Sequence, residues 1–101
     1  IFRAVEAVRQ MGGGLAVALG HKTLAEIPLP IAGLMSAEPL EILAARLKST
    51  KTAASGIGCN LEDPFMALSF LALPVIPELK LTDKGLGDVN QVDIVSLFLD
   101  V

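Results

Sequence analysis

Phe2, Val5, Val8 and Met11 recur three residues apart, with Arg3, Glu6 and Gln10 on other faces, which predicts a short amphipathic helix. Gly12, Gly13 and Gly14 end it, since glycine takes a left-handed cap without a Cβ penalty. Leu15 to Leu19 and Thr23 to Ile27 then read as two strands of a hairpin about Gly20 and His21. A two-residue turn is allowed there. A three-residue loop through Lys22 is the alternative; it sets Leu15, Val17 and Leu19 opposite Ile27, Ala25 and Thr23, and the register stays open. Pro28 and Pro30 cannot continue a central strand, so the segment through Ile31, Leu34, Met35 and Ser36 is an irregular, apolar connection. Apolar loops are uncommon on a free surface, so this one is expected to pack beneath something.

Ser36 is a suitable N-cap and Pro39 suits a first helical turn. Leu40, Leu43, Ala44, Leu47 and Ala54 make one face of a helix reaching about Ser55, with Gly56 as its stop. The stretch Glu62 to Asp88 is the most apolar and the most punctuated, uncharged from Pro64 to Pro77. Asp63-Pro64 is a helix-start signature. Yet Met66, Leu68, Phe70 and Ala72 alternate with Ala67, Ser69, Leu71 and Leu73 as in a buried strand, and periodicity cannot settle so short a run. The sheet-like neighbours favour the strand. Glu78 to Thr82 is a further strand, Asp83 to Gly85 a tight turn, and Val92 to Val101 a last strand. Together these predict one α+β domain over residues 1–101, with two helices packed on a small, mostly antiparallel sheet.

Composition narrows the function classes. The 101 residues are 52% hydrophobic and 19% charged, which excludes a disordered chain and is long enough to bury a core. A net charge of −3 and only four aromatic residues, all Phe, argue against nucleic-acid binding. The run from Pro64 to Pro77 is too short to span a bilayer, so no membrane partner is expected. No basic region followed by an apolar run opens the chain, so no signal peptide is expected, and the single cysteine fits a reducing cytoplasm. The start in mid-helix pattern, without Met, reads as a piece of something longer.

Catalytic constellations are not evident. His21, the only histidine, reads as a solvated turn residue, because a metal site needs several converging ligands. Cys59 reads as a small, partly buried thiol. Glu62 with Asp63, and Asp83 with Asp88, occupy cap and turn positions rather than facing one bond as an acid–base pair would. The glycine triplet follows a helix and precedes a strand, the reverse of a phosphate loop. No catalytic and no metal-ligating residue is therefore assigned.

Four strings carry a resemblance: GGGLAV, then LAEIPLPIAGLMS, then LEDPFMALSFLALPVIPELKLTDKGL, then DVNQVDIVSLFLDV. Together they resemble the C-terminal domain of microbial adenine deaminases, over essentially the whole chain. Two positions depart from that pattern: Gly20-His21 stands where an Asp-Gly step is usual, and Gly87 where an apolar residue is usual. The resemblance implies a parent enzyme of the amidohydrolase superfamily that hydrolyses adenine to hypoxanthine and ammonia. It implies metal ligands in an upstream (β/α)₈ barrel, with manganese or iron activating water, and a homo-oligomeric parent. None of those ligands can be carried onto a position of this chain. The expected role is then non-catalytic, with the upstream barrel as partner. The apolar, irregular segments supply candidate interdomain contacts at Pro28, Pro30, Leu34, Met35, Pro74, Pro77 and Glu78; equally, both segments could line this domain's own core. The alternative is a stand-alone binding or oligomerisation module.

Overall fold

In the computed structural model, which describes residues 1–98, the element order is α1 (Phe2–Gln10), β1 (Gly14–Leu19), β2 (Lys22–Pro28), α2 (Leu40–Gly56), α3 (Pro64–Ala72), β3 (Leu79–Thr82), β4 (Gly85–Asp88) and β5 (Asp93–Val95). The α+β class stands, with three helices rather than two and two small antiparallel sheets rather than one. The chain divides into two compact units, Ile1–Pro64 and the part from Phe65 onward.

In the first unit both α1 and α2 pack on the β1–β2 hairpin. Leu19 pairs with Lys22 and Ala18 with Thr23 across a two-residue turn, whereas Val17 pairs with Ala25 and Leu15 with Ile27. Leu24 is thus the extra residue of a bulge. Both readings of the hairpin were partly right: the tip is the short turn, and the bulge restores the pairing that puts Val17 and Ile27 in the core. Ala7 and Ala54 complete that core from the helices. Phe2 and Val5 face solvent, so the buried side of α1 runs through Ala4, Ala7, Val8 and Met11.

Both long helices of this unit close with the same motif. At α1 the Gly13 N–H donates to the Val8 carbonyl at 3.0 Å and the Gly12 N–H to that of Arg9 at 3.2 Å. At α2 the Cys59 N–H donates to Ala54 at 3.1 Å and the Gly58 N–H to Ser55 at 3.0 Å. These crossed bonds satisfy carbonyls that would otherwise be orphaned. The stop of α2 is therefore Gly58, at φ +98°, two residues beyond the expected Gly56. Pro39 rather than Ser36 is its N-cap; the Ser36 hydroxyl instead accepts the Glu38 N–H at 3.1 Å. Leu40 and Ala44 point outward, while Thr50 is fully buried and donates its hydroxyl proton to the Arg46 carbonyl at 2.7 Å.

The second unit corrects the main sequence expectation. Residues 64–72 form a helix, not a buried strand. No β-branched residue occurs between Pro64 and Leu73, whereas Ala, Leu and Met favour the helix. The Ser69 hydroxyl also bonds back to the Phe65 carbonyl at 2.9 Å, a helical spacing. The sheet order is β3-β4-β5. Residues Gly85–Asp88, not expected as a strand, form its centre, because Asp83 and Lys84 alone make the turn that pairs Thr82 with Gly85. The last strand is only Asp93–Val95. Val92 sits at φ +56°, Ser96 to Phe98 lie outside the ladder, and the part of the expected strand at 99–101 lies outside the described residues.

Candidate functional site

The apolar connection after β2 is an ordered hairpin-like tip. Ile31 and Met35 bridge each other: the Ile31 N–H donates to the Met35 carbonyl at 3.0 Å, and the Met35 N–H returns to Ile31 at 3.1 Å. The Leu34 N–H donates to the Ile31 carbonyl at 3.0 Å, closing a tight turn whose central residues, Ala32 and Gly33, both have positive φ. The base of the tip is held by the Leu29 N–H on the Gly13 carbonyl at 3.0 Å. There the two backbones approach so closely that a Cβ on Gly13 would lie 2.6 Å from the Gly33 Cα. The glycine triplet therefore caps α1 and also makes room for this tip, a second role that sequence spacing does not reveal.

The structure brings Pro28, Pro30, Leu34 and Met35 together on this one segment. Pro28 is half-buried, but Leu34 is 77% and Met35 57% exposed. The expectation that the loop lies beneath something is not met within the first unit. A hydrogen-bonded turn presents two large apolar side chains outward, so ordering them on contact would cost side-chain more than backbone entropy.

Pro74, Pro77 and Glu78 lie in the second unit, and all three are exposed. The Lys80 side chain fastens this segment by donating to the carbonyls of Pro77 at 3.2 Å and Leu79 at 3.4 Å, and the Val89 N–H donates to the Glu78 carbonyl at 3.0 Å. Lys80 is the one buried cation among the described residues, and sequence reading did not single it out. Pro74, Lys80, Asp88 and Asp93 line a cavity of about 240 Å³.

Several titratable groups have structural partners. Lys51 pairs with Asp63 at 2.8 Å and Arg46 with Glu38 at 3.0 Å, each pair partly exposed. The Arg9 guanidinium beside Glu6 holds that carboxyl below its usual range. The Gln91 side-chain amide, helped by the backbone N–H groups of Gln91 and Asn90, does the same for Asp88, which shapes the β4–β5 turn. His21 is exposed on the hairpin turn and Cys59 is half-buried behind α2. Among the described residues no three His, Cys, Asp or Glu side chains converge as a metal site would require.

The chain is an α+β module that carries apolar, proline-broken segments outward. Comparison with known proteins gives the family: the model described as "Adenine deaminase C-terminal domain" matches residues 1–93, and the chain belongs to that family. It is 61% identical to an adenine deaminase of Desulfatibacillum aliphaticivorans, over 94% of this chain and 17% of the relative. It is 54% identical to that of Syntrophobacter fumaroxidans over 97% of this chain, and 47% to that of Dehalococcoides mccartyi over 94%. The chain thus spans only 17% of the length of these relatives.

Proposed function

We propose that this chain is the non-catalytic C-terminal portion of an adenine deaminase, an enzyme that hydrolyses adenine to hypoxanthine and ammonia. The carrying observation is the match itself: nearly the whole chain aligns, at up to 61% identity, with about one-sixth of proteins named adenine deaminase. Manganese or iron, implied by the resemblance, would activate water in the remainder of the polypeptide, a barrel of the amidohydrolase type. Among the described residues no three His, Cys, Asp or Glu side chains converge as its ligands would.

The role of the domain is to dock on that remainder. The Ile31–Met35 tip is one contact, with Leu34 and Met35 filling an apolar pocket, and the Pro74–Glu78 segment is the other. Support comes from the exposure of these side chains on hydrogen-bonded, fixed backbone. The parent protein is a cytoplasmic homo-oligomer on this reading; among the described residues no helix is long and apolar enough to cross a membrane.

The test compares the full polypeptide with the 101-residue chain. Ammonia release from adenine is expected from the full polypeptide loaded with manganese, and none from the isolated chain. Turnover by the isolated chain, or none by the loaded full polypeptide, would sink the reading. Leu34→Asp together with Met35→Asp should lower the melting temperature of the full polypeptide by several degrees.

A further inference from the structure

Helix α3 is uncharged along its length, and of its residues only Pro64 is buried. At about 100° per residue, Phe70 and Leu68 lie on nearly opposite sides of the cylinder, with Leu71 on the side of Leu68. Phe70 is 52%, Leu68 61% and Leu71 68% exposed. An ordinary surface helix keeps one polar side for water, whereas a helix apolar all round belongs in an interior. A contact between two flat surfaces, such as a two-fold dimer of this chain, would cover one side and leave the other wet.

We propose that α3 is an internal helix of the intact protein, received on both sides by the part of the polypeptide that lies outside these 101 residues. This rests on the reading of the chain as one portion of a longer enzyme. The relatives supply a covering partner of sufficient size, because the matched region is 17% of their length. The occupant is apolar where it meets α3, since the helix offers no charge and its Ser69 hydroxyl is already engaged with the Phe65 carbonyl. Enclosure also accounts for the uncharged run from Pro64 to Pro77, which the strand reading had attributed to a sheet core.

The experiment places the photoreactive residue benzoylphenylalanine at position 68, or at position 70, in the full polypeptide. Irradiation is expected to give, at both positions, links within one chain to peptides outside residues 1–101. Links between two chains at either position, links back into residues 1–101, or reaction with solvent alone would overturn the proposal. Should either labelled protein misfold, amide hydrogen exchange on the unmodified full polypeptide decides. The amides of Met66 to Ala72 should exchange about a hundredfold or more slower than in the isolated chain, and equal rates would overturn it. Adenine turnover by the unmodified polypeptide separates this from the functional reading: activity with an unprotected α3 defeats the enclosure alone.

Discussion

Three glycines separate what a missing side chain does at single positions. Gly13, at φ +124°, faces the Gly33 and Leu29 backbones, so Gly13→Ala should cost about 3 kcal/mol, because main-chain atoms cannot step aside. Gly58 is also at positive φ but meets nothing within 4 Å, so Gly58→Ala should cost only about 1 kcal/mol of backbone strain. Gly87 has ordinary φ, and its nearest would-be neighbour is the Lys80 carbonyl at 3.6 Å. Gly87→Ala should therefore be neutral or stabilise by about 0.5 kcal/mol. Urea midpoints of the three variants check that order. Asp88 supplies a pH signature. Its folded carboxyl lies below the unfolded value, so its contribution is present above the unfolded carboxylate range and is lost as pH falls through the depressed value. An NMR titration should show the Asn90 and Gln91 amides following that fall, and Asp88→Asn should abolish it. The αL cap of α1 was legible in the glycine triplet; the Gly13–Gly33 approach was not, since it depends on two loops meeting in space.

For the elements, amphipathic spacing located α1, the hairpin and α2 but did not decide which side of each helix is inward. Leu40 belongs to the apolar stripe of α2 in sequence and yet faces solvent, whereas Thr50, absent from that stripe, is buried with its hydroxyl satisfied inside the helix. Ile27→Ala should hence cost about 3 kcal/mol, because Ile27 is 3% exposed beneath the helices, and Leu40→Ala less than about 0.5 kcal/mol. Similar losses for the two in a denaturation series would contradict the placement. Helix α3 was misread because alternation and helical period coincide over an all-apolar run. The decisive local signal was the lack of β-branched residues after Asp63-Pro64. Strand β4 was missed because Gly85, Gly87 and Asp88 are poor strand formers; it exists because the two-residue turn hands the chain back along β3.

Across the molecule, the Ile31–Met35 tip and α3 each expose several large apolar side chains, and contiguous exposed apolar surface favours association. The isolated 101-residue chain is therefore expected to self-associate, with a sedimentation coefficient that rises along a concentration series. A monomer of constant size at all concentrations would contradict this. Expression as part of the full polypeptide should remove the effect, since the same surfaces are then covered within one chain. The candidate contact residues were found in sequence by their apolar, proline-broken setting, and the structure adds that Leu34 and Met35 are carried on a fixed turn.

The sequence by itself determined the class, α+β, and the family, because local propensity and long, unusual strings survive without knowledge of contacts. Only the tertiary structure decided the hairpin bulge, the inward faces of α1 and α2 and the outward aim of Leu34 and Met35. Those outcomes depend on which surfaces are left to bury apolar area once every backbone hydrogen bond has a partner, and that competition is settled between segments distant in sequence.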